Sequence, residues 1–518
     1  MENVLCVQKK EKACCVWERV TDWKGERSEN GACAGRRREP EPWKAGPAAG
    51  AAGDALPPLM TKILQSAMTE YMRSYLKPLL TIALPIILQN FLSSFVNMLD
   101  TVMVGQLGSV EIAAVGLGNQ IFFLLNFILT GTVTGGAIFI SQYWGKKDMP
   151  GVHRTMGFTF ILAFVISVFF FAVAYFAPET CLRIYTEDEE VISVGIDYLK
   201  NASWSYLFYG FGLPFAVSER STERVKLPMW ATGLSVVFNG ILNYLFIFGV
   251  SIGGVQIPAM GVVGAAYATV VSRIIEFVLL AVVPFVCHYE IAAGVKAYFK
   301  REPGFLRKFV QVCLPVLINE TVWSVGISTH NVIYGHAGTE IVAALNINSS
   351  FSNLIWTFFM GTGAATGILI GKKIGEGGYD EARKQAKVYA LFMAGTSVIA
   401  SFILIPLSKL LPVLYKVEPE VIKMATGMLR LLIIFWPLSA FNMCMAKGVC
   451  RAGGDTVYGA FMDAGFMWLI SIPLGFLAIL KWNLPYWGIY MCIRSEEFLK
   501  MIMGAIRLKS GKWLHDVT

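Results

Sequence analysis

Charge is scarce in this chain: Asp, Glu, Lys and Arg make up 15% of its 518 residues against 55% hydrophobic residues, and the mean hydropathy is +0.55. That balance excludes an ordinary soluble globular domain, in which about a quarter of residues are charged. A Walker A loop, an HExxH pair and a GxSxG elbow are also missing, so the sequence gives no sign of nucleotide-driven, zinc-peptidase or serine-hydrolase chemistry. The ten cysteines lack metal-ligand spacing, and four of them (Cys6, Cys14, Cys15 and Cys33) fall in the first 59 residues. Neither a zinc site nor a disulfide framework is indicated. Short segments with period-two alternation, the mark of a membrane β-barrel, are not visible.

What remains is apolar and long. Runs able to cross a bilayer, each ending at a polar or Gly/Pro-rich break, lie near 76–99, 111–140, 154–177, 192–217, 228–250, 261–287, 305–334, 341–370, 386–412, 421–446, 457–480 and 484–506. The fold class is therefore all-α, a polytopic membrane protein with twelve transmembrane helices. Short loops rich in Lys and Arg stay on the cytoplasmic side. Such loops follow the second helix (Lys146, Lys147, Arg154), the fourth (Arg220, Arg224, Lys226), the sixth (Lys296, Lys300, Arg301, Arg307, Lys308) and the eighth (Lys372, Lys373, Arg383, Lys384, Lys387). Intervening loops carry few basic residues, which predicts both termini in the cytoplasm and a multi-pass protein of the cell (inner) membrane. The net charge of +8 follows from this topology and from a basic N-terminal stretch, so it does not argue for nucleic acid as a partner. Residues 1–59 contain Arg36-Arg37-Arg38 but no apolar h-region. They read as a disordered tail or a gene-model extension, with synthesis starting at Met60, Met68 or Met72.

The chain repeats itself. Displaced by 230 residues, 84–145 aligns with 314–375 without a gap and with fourteen identities in sixty-two positions, where chance gives about five or six. Leu84-Pro85 meets Leu314-Pro315, Gly105 and Gly108 meet Gly335 and Gly338, and Gly131-Thr132 meets Gly361-Thr362. An even number of helices per half gives parallel repeats related by an axis along the membrane normal. The expected organisation is an N-lobe at 72–287 (helices 1–6), a cytoplasmic linker at 288–304 and a C-lobe at 305–513 (helices 7–12).

Asp100 and Glu320 each stand as a lone carboxylate in a long apolar helix that heads its half of the chain. A charge in hydrocarbon is costly and marks ion or proton work by default. Asn97 is three residues before Asp100 on the same face, and Asn239 and Asn243 are spaced i, i+4 in helix 5. Arg273 and Glu276, three apart in helix 6, read as a self-neutralising structural pair. Asp463 reads as a helix anchor near the cytoplasmic side. His330, at the repeat position of Asp100, is expected near the external helix end without a coupling role. Most of the large aromatics, Trp204, Phe208, Trp323, Phe351, Trp356 and Trp436 among them, are expected to face lipid or its interface.

Ala83-Leu-Pro-Ile-Ile-Leu-Gln-Asn, Asn97-Met-Leu-Asp100-Thr-Val-Met-Val-Gly105 and Gly131-Thr-Val-Thr-Gly-Gly, with Arg451-Ala-Gly-Gly-Asp-Thr in the second half, resemble the MATE (multidrug and toxic compound extrusion) transporters of the MOP flippase superfamily, bacterial type. The likeness covers about 72–513. It implies two six-helix lobes, no enzymatic activity, no cofactor, and efflux of organic compounds driven by inward Na+ or H+. It also implies that Asp100 is an N-lobe coupling residue, with Asn97, Asn239 and Asn243 supporting a polar cavity, and that Glu320 is the C-lobe carboxylate. Beyond a Na+ at Asp100 or Glu320, no metal is implied. Two departures stand out: the interval from Glu320 to the following glycine turn is about a helical turn longer than in some members, and helix 10 offers Asn442 where sodium-coupled relatives carry an acid.

The leading expectation is a monomeric secondary antiporter in the lipid bilayer for amphipathic, cationic organic compounds. A lipid-linked precursor flippase of similar plan needs a strongly cationic central cavity, whereas the membrane-embedded charge reads as mainly acidic. A channel or receptor is the alternative from a different class.

Overall fold

The computed structural model describes residues 70–252, 255–300, 302–407 and 418–518, and the N-terminal stretch 1–59 lies outside these described residues. Twelve helical spans follow one another: α1 (Lys77–Val104), α2 (Ser109–Lys146), α3 (Met149–Phe176), α4 in two segments (Glu189–Ala202 and Trp204–Ser221), α5 (Lys226–Phe248) and α6 (Gly261–Val286). The second half holds α7 (Phe305–Ala337), α8 (Thr339–Gly375), α9 (Tyr379–Leu407) and α10 (Pro419–Met443, continued by a π-helical stretch Cys444–Cys450). α11 runs from Thr456–Ala460 through two π-helical turns to Ile472–Leu480, and α12 comprises Tyr486–Arg494 and Glu496–Ser510. A two-stranded antiparallel hairpin, β1 (Val250–Ile252) and β2 (Val255–Ile257), joins α5 to α6.

Local chemistry sets the helix starts. Asp148 caps α3 by accepting from Gly151 N at 3.1 Å, and Asp188 caps α4 through Glu190 N at 3.0 Å. Among the described residues eight helices are long and apolar enough on their own to cross a bilayer. α12 is not one of them, because Arg494, Glu496, Glu497 and Lys500 interrupt it. It fits the bundle because Glu496, Glu497 and Lys500 are buried inside it. At about 1.5 Å per residue, the 38 residues of α2 exceed a hydrocarbon core of about 30 Å. α2 and its counterpart α8 therefore project beyond the bilayer.

The internal repeat appears as two six-helix lobes that meet along α1, α2, α7 and α8. Small residues set the contact, and they come in symmetric pairs. A first side-chain carbon added at Gly131 would lie 2.9 Å from Leu317 Cα; one added at Gly361 would lie 3.1 Å from Ile87 Cα. Gly145 abuts the Lys372 carbonyl and Gly375 the Gln142 carbonyl, again 230 residues apart, while Ser141 faces its own repeat partner Gly371 on the pseudo-axis. The seam thus closes at the end bearing the basic loops. At the other ends of these helices Gly116, Gly335 and Gly338 have open space around them. The linker docks on the N-lobe: Arg224 pairs with Glu290 at 2.7 Å, and Arg154 pairs with Glu302.

Because backbone meets backbone at Gly375, replacing it by Val is expected to wedge the lobes apart, costing about 1–3 kcal/mol as overpacked cores do. The thermal unfolding midpoint of the purified protein checks this; an unchanged midpoint contradicts the seam.

Candidate functional site

In the N-lobe, α1 continues past the sequence-predicted end near residue 99 to Val104, which places Asp100 within the last turn and a half of the helix. Its carboxylate accepts from Asn243 Nδ2, and the same amide nitrogen donates to Asn239 Oδ1 at 3.1 Å. Both asparagines are buried, and Asn243 Oδ1 has no partner among the described residues. The i, i+4 spacing on α5 puts the two amides on one face, where Asn243 bonds the carboxylate across the helix pair and Asn239 bonds Asn243. The side chain of Asn97 lies outside the described residues. Among the described residues no ion pair holds Asp100.

Arg273 and Glu276 do pair, at 2.7 Å on α6. Glu276 also accepts from Thr232 at 2.7 Å, Thr232 accepts from Gln89 at 2.9 Å, and the Arg273 guanidinium lies 4.9 Å above the Tyr209 ring. This network ties α1, α4, α5 and α6 together, and its Arg273 is close enough to Asp100 for the two charges to act on each other.

In the C-lobe Glu320 is not alone. Arg451 donates to it at 2.5 Å and Lys447 lies 3.3 Å away, both from α10, and the Glu320 and Arg451 side chains are nine-tenths buried or more. Lys447 also sits 5.2 Å over the Trp323 ring. The pairing was out of reach of a reading confined to α7, although Lys447 and Arg451, four apart in an apolar helix, were the available signal.

Behind this triad a cavity of about 470 Å³ opens between α7, α8, α10, α11 and α12. Its polar wall is dense. Asn319 donates to Asp463 at 3.0 Å, Lys500 pairs with Glu496 at 3.2 Å, and Glu497 accepts from Ser439 at 2.8 Å and Asn442 at 2.7 Å. Asn442 Oδ1 and Glu496 Oε2, both buried, have no partner among the described residues. Four expectations need correction here. His330 is buried and bonded to Ser471 at 2.9 Å rather than standing free at a helix end. Asp463 is a cavity acid, and Trp323, Trp356 and Trp436 line the same cavity instead of lipid. The buried charge is mixed, not mainly acidic: Glu219, Glu320, Glu496 and Glu497 against Arg154, Arg451 and Lys500.

Sequence reading missed the α12 group, because Glu496, Glu497 and Lys500 resemble a solvated helix face. It also missed Glu219 on α4, fully buried with neither carboxylate oxygen bonded among the described residues. No group of three or more His, Cys, Asp and Glu suited to a metal occurs among the described residues.

The MatE family profile matches residues 85–245 and 315–477, once in each lobe. The uncharacterized transporter YisQ of Bacillus subtilis is 24% identical over 424 residues, spanning 81% of this chain and 91% of the relative. The "Probable multidrug resistance protein NorM" of Thermotoga maritima is 24% identical over 435 residues, 80% of this chain and 88% of the relative. Among solved structures, a multidrug resistance MATE family transporter of the MOP superfamily in an outward-facing conformation superposes with a TM-score of 0.76 at 18% identity, over 86% of this chain and 98% of that one. A MOP superfamily transporter from Pyrococcus furiosus, described as having a binding pocket of reversed polarity, matches with a TM-score of 0.76 at 19% identity over the same shares.

Removing one partner of a buried ion group leaves the others uncompensated, at about 3–5 kcal/mol. Glu320→Gln, which strands Lys447 and Arg451, is therefore expected to lower the thermal midpoint sharply, and Asp100→Asn, an amide among amides, to change it little. Equal midpoints for the two variants contradict the triad.

Proposed function

The chain belongs to the MatE family of multi-pass cell-membrane transporters, which are not enzymes, and on that premise we propose that it is a secondary antiporter exporting amphipathic organic cations by alternating access, with Asp100 as the carboxylate that takes up and releases Na+ or H+. The reading gives both termini to the cytoplasm and makes the segments 72–287 and 305–513 the two bodies that rock, in a protein working as a monomer. The observation that carries it is the contrast between the two lone carboxylates. Glu320 is neutralised by Lys447 and Arg451, so a coupling ion has little to gain there. Asp100 is bonded to a neutral amide, and Arg273, already paired with Glu276, acts on it only through space, so it keeps its charge available for an incoming cation.

That contrast moves coupling onto the N-lobe and gives Glu320 a structural part, where the sequence alone put the two acids on an equal footing. The C-lobe cavity supplies what an aromatic cation needs: indole faces from Trp323, Trp356 and Trp436, and the free acceptors of Asn442 and Glu496. A flippase for phosphate-bearing lipids fits less well, because Arg451 and Lys500 are already spent on Glu320 and Glu496. A membrane potential near 100 mV offers about 2.3 kcal/mol per charge moved, roughly fortyfold in concentration at equilibrium.

Efflux of a fluorescent organic cation from proteoliposomes, under a Na+ gradient and a pH gradient imposed separately, tests the proposal. One gradient is expected to drive efflux, and Asp100→Asn to abolish the gradient-driven part. Gradient-driven efflux that survives Asp100→Asn sinks the assignment, and a wild-type protein indifferent to both gradients sinks the antiporter.

A further inference from the structure

We infer that the segment 511–518, which follows α12, is a strap that latches the two lobes at their basic ends and must leave its seat before that side can open. The inference rests on the alternating-access reading above. The strap leaves the C-lobe from α12 and is bonded to Gln142 and Lys146 of α2 in the N-lobe, and its apolar residues Trp513 and Val517 sit in two clusters that each draw on both lobes. Trp513 is fully buried in the cluster formed with α1, α8, α9 and α10, against the Gly453-Gly454 turn that ends α10. A side chain at Gly453 would meet the Trp513 carbonyl, and Gly454 has φ +72, a conformation glycine adopts without strain. Leu514 bridges Gly454, and His515 N donates to Gly453 O at 2.8 Å. Four residues after Trp513, Val517 lies against Gly454 and packs on the cluster that Phe139, Tyr143 and Val152 of α2 and α3 form with Phe305 and Phe309 of α7.

Gln142 is the positioning residue of this latch. Fully buried on α2, it donates to Ala452 O in the C-lobe at 2.8 Å and to His515 O in the strap at 3.2 Å, and it accepts from Val517 N at 2.9 Å. One turn on, Lys146 pairs with Asp516 at 2.9 Å and donates to Thr518 O at 2.9 Å. The Gln142 amide has both ends committed across the seam, beside the Gly375 contact that closes it. Parting α2 from α10 with the strap seated would leave those buried groups unpaired, which costs more than water-exposed bonds do. Undocking of the strap, which lets water reach Gln142, removes that barrier.

The decisive experiment uses the full chain carrying Lys146→Cys and Asp516→Cys, in proteoliposomes. Oxidation is expected to cross-link the pair and slow efflux of the organic cation at least about tenfold, with recovery on reduction, as for a blocked gating step. Thiols that do not cross-link, or a cross-linked protein that transports at the reduced rate, overturn the latch. A second measurement needs no transport. Deleting 512–518 is expected to speed amide hydrogen exchange at least about tenfold at the basic ends of α2 and α8 only, since a released latch opens that side locally. Unchanged exchange there, or protection lost throughout α10 and α11 as for a mere core segment, overturns it as well. Should the reduced protein show no efflux while exchange responds as expected, the transport reading fails and the strap stands.

Discussion

A charge taken into hydrocarbon has to be answered, and the way each carboxylate is answered organises this protein. Glu320 is met by two cations from α10, Glu276 by Arg273 and Thr232, and Glu496 by Lys500. The Glu320 pairs and the Thr232–Glu276 bond join one helix to another, while Arg273–Glu276 and Lys500–Glu496 neutralise charge within a single helix. Asp100 is met by the amide of Asn243, which satisfies an oxygen without cancelling a charge. Glu219 on α4 has no bonded partner among the described residues, and of these two N-lobe carboxylates Asp100 is the one near the open end of the seam.

The duplication supplies a scaffold on which this inequality can act. The glycine pairs at 131 and 361, and at 145 and 375, let α2 and α8 meet backbone to backbone around a pseudo-twofold axis. Symmetry is then broken in the side chains. Where Asp100 meets Asn243 in one lobe, the repeat position His330 meets Ser471 in the other. The N-lobe keeps a carboxylate among amides, while the C-lobe encloses a roomy, mixed-charge cavity with indole walls. On the reading proposed above, that is a division of labour: ion handling in one lobe, room for an organic molecule in the other.

Much of the fold was legible in the sequence because apolar length is a strong signal. The twelve spans overlap the hydrophobic runs over the described residues, with ends that differ by several residues, and the 230-residue repeat is visible as geometry. That Asn239 and Asn243 share one face of α5 was legible too, since helical spacing aligns the amides; that this face meets Asp100 was not, for α1 and α5 are 143 residues apart at that contact. The partners of Glu320 were not, for they lie 127 and 131 residues away on α10, a separation no local periodicity reports. The acids of α12 were missed for the opposite reason: Glu496, Glu497 and Lys500 look like a polar helix face, and only the bundle turns that face inward. The strap escaped notice because eight mixed residues after a helix carry no pattern until Trp513 and Val517 are seen in two different clusters.

The central claim is that Asp100 alone among the two lone carboxylates changes its ionisation or cation occupancy. Infrared difference spectroscopy of the protein in lipid, on lowering the pH and on withdrawing Na+, reads the protonated carboxyl group directly. The account predicts a carboxylic band that appears in the wild type, vanishes in Asp100→Asn and persists in Glu320→Gln. A band that survives Asp100→Asn and is lost in Glu320→Gln contradicts it.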